Sequence, residues 1–271
     1  MTDVEVYQTA YNFLLQSPRI TEEDLMMHLK PYNKPTELNL IYRRLCESAQ
    51  NKQMSQRVIT GAVSGLENLG KILYNFDPLA VAEHYEITDS ELLLKNIIRE
   101  LNPKGKVRNT SRSLWPKYCV TVLQGAYFLK SFGNSANFYS WADKLFADSK
   151  TKYALPLLIA LEINGFGFPL ACDLIKELGY VEFGKPDVYL KGIFSELGII
   201  DKRKMSGLRG DYLTAKAIDK IAIANNVTPY AVDMIFWLIG SGNFYLTGKN
   251  IGRQKDKFLK LIKEHSIGNL H

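Results

Sequence analysis

The chain has 271 residues, 46% of them apolar, and 34 Lys and Arg against 28 Asp and Glu give a formal net charge of +6. That is ample apolar material for one large or two small packed domains, and the positive balance suits a partner that carries phosphates. Three scattered cysteines (Cys46, Cys119, Cys172) argue against a disulfide scaffold, four histidines without ligand spacing show no readable zinc site, and with no signal-peptide pattern and no apolar run of membrane-spanning length the expectation is a soluble, cytoplasmic protein.

From the N-terminus, Val6, Tyr7, Ala10, Tyr11 and Leu14 recur at helical spacing, and Ser17-Pro18 ends that helix. Thr21 with Glu22, Glu23 and Asp24 opens the next through an acidic first turn. Helices are expected from Leu38 to Met54 and from Gln56 to Tyr74, the second weakened by Gly61, Gly65 and Gly70. Asp77-Pro78 starts a short one, and Thr88 to Glu91 caps another that is amphipathic to Leu101. Residues 102–113 break the pattern. This loop holds Lys104, Lys106, Arg108 and Arg112 and no acid, and Trp115 and Tyr118 follow at once. Basic residues beside aromatics can grip a nucleic-acid backbone and stack on a base. The plainer alternative is a solvated loop with Trp115 as a core anchor. Helices then run from Cys119 to Phe132 and from Phe138 to Phe146.

An apolar run from Leu155 ends in Ile163-Asn164-Gly165-Phe166-Gly167-Phe168. A second run begins at Pro169, carries Leu170, Ala171, Leu174, Ile175 and Leu178 at helical spacing, and stops at Gly179. Two helices joined by a turn with two glycines form a hairpin of helices. The glycines admit positive φ and close approach of a large partner, and free N–H groups at the second helix's start can bind a phosphate. Twenty residues past Gly167, Asp187 follows Pro186 at another helix start, where aspartate is a common cap. Asp173, Lys176 and Glu177 read as a polar face, and Asp233, on an apolar helix, as a cap or ion-pair partner. Helices from Tyr212 to Asn225, Pro229 to Ile239 and Asp256 to His265 complete an all-α chain, since no segment alternates with strand period.

Three of these stretches, in this order, resemble the helix-hairpin-helix superfamily of DNA glycosylases, most closely its endonuclease III-like members. They are Ile163-Asn164-Gly165-Phe166-Gly167, Pro186-Asp187-Val188-Tyr189, and Val232-Asp233-Met234-Ile235-Phe236-Trp237-Leu238-Ile239-Gly240-Ser241-Gly242. The resemblance covers about residues 90–250. It implies an all-α, two-lobed helical fold with a cleft between the lobes. One lobe, about 85–183, would carry the hairpin; the other, about 1–84 plus 184–271, would carry Asp187. It implies a monomer that binds double-stranded DNA, associated with the nucleoid if bacterial. Gly165, Gly167 and Phe168 would meet DNA at the hairpin, helped by Lys104, Lys106, Arg108, Arg112 and Lys185. Trp115, Tyr118 and Tyr189 would line the base pocket, and Asp187 would be the catalytic carboxylate. No cofactor is expected beyond a monovalent cation at the hairpin.

The departures shape the activity. Bifunctional members carry a Schiff-base lysine where this chain has Pro169, and a histidine where it has Tyr189. No cysteine follows Gly242, where such members often place four for an iron–sulfur cluster. The expectation is a monofunctional glycosylase that hydrolyses the N-glycosidic bond of a flipped, damaged or modified base. Lys185 or Lys191 stays open as a displaced lyase lysine. A non-catalytic helix-hairpin-helix DNA-binding protein is the alternative from another class, and an all-α interaction domain is a third. Asp187 beside Pro186 favours the enzyme, because a pure binder has no need of an acid facing the sugar.

Overall fold

The computed structural model of the chain describes residues 2–51, 58–110 and 113–268. Arg112 and the helix ends expected at Met54 and Gln56 lie outside them. In chain order the helices are α1 (Asp3–Leu15), α2 (Glu22–Leu29), α3 (Leu38–Ala49), α4 (Leu66–Gly70), α5 (Pro78–His84), α6 (Ser90–Leu101), α7 (Leu114–Lys130), α8 (Ser135–Phe146) and α9 (Ala154–Glu162). There follow α10 (Phe168–Glu177), α11 (Val188–Glu196), α12 (Gly207–Asn225), α13 (Pro229–Ser241) and α14 (Lys255–Gly268). The sheet among the described residues is one two-residue antiparallel ladder, Asn243–Phe244 with Lys249–Asn250. Residues 58–65 are turns rather than the expected helix: Ser64 sits at φ 61°, which a continuing helix cannot accommodate.

The chain forms two compact units, Lys34–Leu174 and Met1–Asn33 with Ile175–His271, so α10 crosses from one into the other. The expected lobes are shifted accordingly: residues 34–84 belong with the hairpin, not with Asp187. The reason is α7. Its buried side chains Val122, Leu123, Ala126 and Leu129 pack against α3, α5 and α6. Tyr42 Oη on α3 donates to Val122 O (3.0 Å), and Tyr118 Oη on α7 donates back to Cys46 O (3.2 Å). Both hydroxyls are buried and both are satisfied, as a helix pair this tightly packed requires.

The other unit packs α1, α11, α12 and α13 around Leu14, Leu190, Phe194, Ile218, Phe236 and Ile239. Gly240 permits the approach of α11 to α13: a Cβ there would collide with Tyr189. At the edge of this core, Thr21 and Asp24 cap α2 reciprocally, and Lys249 of the ladder pairs with Asp24 at 2.6 Å.

Candidate functional site

The hairpin is built from α9, the turn 163–167 and the start of α10. Gly165 has φ 89°, a conformation that favours glycine; Gly167 does not lie at positive φ, contrary to expectation. Two side chains of α7 clamp the turn. Thr121 Oγ1 donates to Asn164 O (2.8 Å), and Gln124 Oε1 accepts from Asn164 N (2.6 Å). Phe166 is buried, and its N–H closes on Ile163 O at 3.0 Å. Among the described residues the N–H groups of Gly165, Gly167 and Phe168 have no protein acceptor. With no side chain at Gly167 to cap α10, these amides and the positive helix end form a place where an anion is favoured. The Phe168 ring is buried beside Tyr153, ring centroids 6.1 Å apart. Its side chain is therefore core, and its amide is the part left without a protein acceptor.

Lys104, Lys106 and Arg108 are exposed in the loop that leads into α7. The loop is tied down by Lys104 N donating to Ala62 O (2.8 Å). From the first residue of α7 to Thr121 is about 10 Å along the axis, so basic loop and hairpin turn are served by one rigid helix. Lys117, exposed and one turn before Thr121 on the same face, adds a further cation to those expected to meet DNA. No acid occurs between Glu100 and Asp143. Trp115 and Tyr118 are 5% and 3% exposed and pack inside this unit, which corrects their placement in a base pocket. The correction follows from α7 starting at Leu114, earlier than expected, which buries both rings and sets Tyr118 against Cys46 of α3.

Asp187, Lys185 and Tyr189 come together in the other unit. Asp187 caps α11 through one oxygen only: Oδ1 accepts from Tyr189 N (2.8 Å) and Leu190 N (3.1 Å). Oδ2 has no protein donor, and the residue is half-buried. Burial, and then the negative charge of Asp233, push its pKa up to about 6 against the pull of Lys185 and the two amides. Asp233, 1% exposed, is the support behind this segment: Oδ2 accepts from Lys176 Nζ (2.8 Å) and from Lys185 N (2.9 Å). Lys176 is itself buried, 5.8 Å from the Tyr230 ring centroid, so the expected polar face of α10 is an interior ion pair. Lys191 pairs with Asp211 of α12. Tyr189 is half-buried against Gly240.

No cluster of His, Cys, Asp and Glu that could hold a metal ion occurs among the described residues, and no described helix is long and apolar enough to cross a membrane.

A helix, a Gly-Phe-Gly turn, a second helix and an acid capping the third place this chain in the all-α helix-hairpin-helix DNA glycosylase-like fold class. The chain is similar to an 8-oxoguanine glycosylase/lyase of Methanocaldococcus jannaschii, solved with a 15-mer DNA containing 8-oxoguanine. The TM-score is 0.56 at 14% identity, over 91% of this chain and 99% of that one. No family model and no curated protein sequence matches the chain.

Proposed function

We propose that the protein is a monofunctional DNA glycosylase: it excises a damaged or modified base from double-stranded DNA by hydrolysis and leaves an abasic site. One observation carries this reading. Asp187 is held rigidly by two backbone amides on one oxygen while the other is unengaged, in a fold similar to that of a glycosylase. Breaking the N-glycosidic bond leaves the bonding pair with the departing base and positive charge on the sugar. A carboxylate beside C1′ stabilises that charge, or takes the proton of the water that attacks C1′. A pKa of about 6 leaves Asp187 mostly ionised at neutral pH, yet basic enough to accept a proton.

Pro169 supports hydrolysis over lyase chemistry, and Lys191 and Lys176 are engaged with Asp211 and Asp233. The unpartnered amides of Gly165, Gly167 and Phe168 would hold a phosphate of the strand, with Lys104, Lys106, Arg108 and Lys117 of the same unit on neighbouring phosphates; Lys185 would be a backbone contact of the other unit. Ile163, Asn164 and Gly167 already accept hydrogen bonds through their carbonyls. The Gly165 and Phe166 carbonyls are the ones that a monovalent cation would meet.

The test is a panel of duplexes, each with one modified base and 8-oxoguanine first, scored for abasic sites with and without alkali. Excision is expected in the parent, with breaks only after alkali, and a loss of about a hundred-fold or more in Asp187→Asn. A covalent adduct trapped by borohydride would sink the monofunctional part and point to Lys185. Duplex binding without excision across the panel would leave the non-catalytic binding protein.

A further inference from the structure

Beside the hairpin turn, within the unit Lys34–Leu174, lies an open pocket of about 390 Å³ that the reading above does not use. Its apolar part combines Ile87 and Leu158 with four rings, Tyr127 and Phe128 on α7, Phe132 just past its end, and Trp141 on α8. Phe128, Phe132 and Trp141 meet one another at centroid distances of 5.3 to 5.8 Å. Its polar side chains are Gln124, Ser131 and Glu162, with the Tyr127 hydroxyl; Ser131 Oγ already donates to Phe128 O (2.6 Å) and Tyr127 Oη to Tyr85 O (3.1 Å), which leaves Gln124 and Glu162 for a ligand. Both border the turn: Glu162 is the last residue of α9, and Gln124 accepts from Asn164 N.

That bond fixes the orientation of the Gln124 amide. A backbone N–H can only donate, so Oε1 is the atom facing Asn164, and Nε2 keeps its hydrogens for a ligand. The same pocket is lined by Glu162, an exposed carboxylate that is an acceptor with two oxygens. The pocket therefore offers a ligand the Gln124 amide as donor and a two-oxygen acceptor, and aromatic rings share the lining. Among the DNA bases only guanine presents the complement on one edge, an O6 acceptor followed by the N1–H and N2–H donors. Adenine and cytosine present a single amino donor beside an acceptor, and thymine one donor between two acceptors.

We propose that this pocket binds an unpaired guanine of a DNA strand held at the hairpin. Glu162 accepts from N1–H and N2–H, Gln124 Nε2 donates to O6, and the base stacks on the aromatic group around Phe132 and Trp141. Stacking gives affinity for any base; Glu162 and Gln124 give the preference. The proposal rests on the hairpin being a DNA contact, as in the proposed function, and the experiment separates the two.

The full-length chain is titrated with labelled duplexes that are fully paired or carry one unpaired guanine, inosine, adenine or thymine. In parallel, GMP and CMP are titrated against Trp141 emission in a Trp115→Phe/Trp237→Phe background. The guanine bulge is expected to bind about tenfold or more tighter than the adenine or thymine bulge, with inosine, which lacks the N2 amino group, between them. GMP is expected to quench emission at about tenfold or more lower concentration than CMP. Glu162→Gln should bring the bulge affinities together without weakening the paired duplex, and Trp141→Ala should weaken all bulges alike. Duplex binding with no guanine preference, or a preference that survives Glu162→Gln, overturns the pocket and leaves the proposed function intact. GMP quenching lost in Glu162→Gln, in a chain that binds no duplex, keeps a guanine pocket but overturns both the DNA-strand part of the proposal and the proposed function.

Discussion

Two helix starts twenty residues apart answer the same problem in opposite ways. At α10 the residue before the helix is Gly167, which has no side chain, and the amides of Gly165, Gly167 and Phe168 are left without a protein acceptor. At α11 the residue before the helix is Asp187, whose carboxylate takes two amides itself. The first start is open to an anion from outside. The second is closed by its own anion, and that anion sits where burial and Asp233 make its charge unfavourable. A cap chosen for stability alone would have its pKa lowered by the amides; here desolvation wins. On the proposed function one start binds the strand and the other does the chemistry, and each can be broken separately.

The largest effect should come from behind the closed start. Asp233 is buried and holds both Lys176 and the Lys185 amide. Asp233→Ala strands a buried ammonium and an amide, and should lower unfolding free energy by about 3–5 kcal/mol. Lys176→Met combined with Asp233→Leu should recover most of that loss, because removing both charges avoids the unpaired one. Urea unfolding of the three proteins checks this. A loss under about 1 kcal/mol in the single variant would mean that Lys176 finds water when its partner goes.

Asp187 should behave in the opposite sense. Its folded pKa is raised from 3.8 to about 6, so the fold favours the protonated carboxyl. The wild type carries no penalty below about pH 4. The penalty grows as pH rises through 6 and is complete above it. Asparagine keeps the carbonyl that accepts from Tyr189 and Leu190 and carries no charge at any pH. Asp187→Asn should therefore be more stable than the parent at pH 7.5, by about 2 kcal/mol at most since the group is part-exposed, and equal to it near pH 4. Thermal unfolding at the two pH values reads this directly. A variant less stable at pH 7.5 would make Asp187 an ordinary cap. Excision by the parent should likewise rise with pH through about 6, and that limb should move to lower pH in Asp233→Asn, which removes the repelling charge.

What could be read from the sequence here was local. The hairpin shows itself because Asn-Gly-Phe-Gly between two apolar runs is a turn with few other solutions, and Asp187 because a cap position is defined by its immediate neighbours. What could not be read was pairing across distance. Lys176 and Asp233 are 57 residues apart, and each looked solvated or ambiguous on its own helix. Residues 34–84 join the hairpin unit because Tyr42 and Tyr118 exchange hydrogen bonds between α3 and α7, a match of side chains that no spacing announces. Trp115 and Tyr118 were misplaced for a third reason. Pro116 looks like a breaker, but it sits in the first turn of α7, where a missing N–H is harmless, so the helix begins before it and buries both rings.

The smallest and most selective effect belongs to the open start, where the two glycines should separate. Gly165 has φ 89°, and an alanine there pays for a left-handed backbone. Gly165→Ala should be destabilised by roughly 1–2 kcal/mol, a fall of a few degrees in Tm for a chain of this size. Gly167 is exposed and not at positive φ, and an added Cβ would meet nothing nearer than Pro169 Cδ at 3.8 Å, an ordinary contact. Gly167→Ala should thus be within about 0.5 kcal/mol of the parent in stability. Its methyl group nonetheless stands beside the two amides, of Gly167 and Phe168, that would receive a phosphate. Duplex affinity should fall alike for every sequence, and the slope of log affinity against log salt should become shallower by about one, the signature of one lost phosphate contact. Fluorescence anisotropy at several salt concentrations, alongside thermal unfolding, distinguishes the outcomes. If Gly167→Ala keeps both affinity and salt slope while folding normally, the amides before α10 hold no phosphate, and the contrast between the two helix starts fails at its open end.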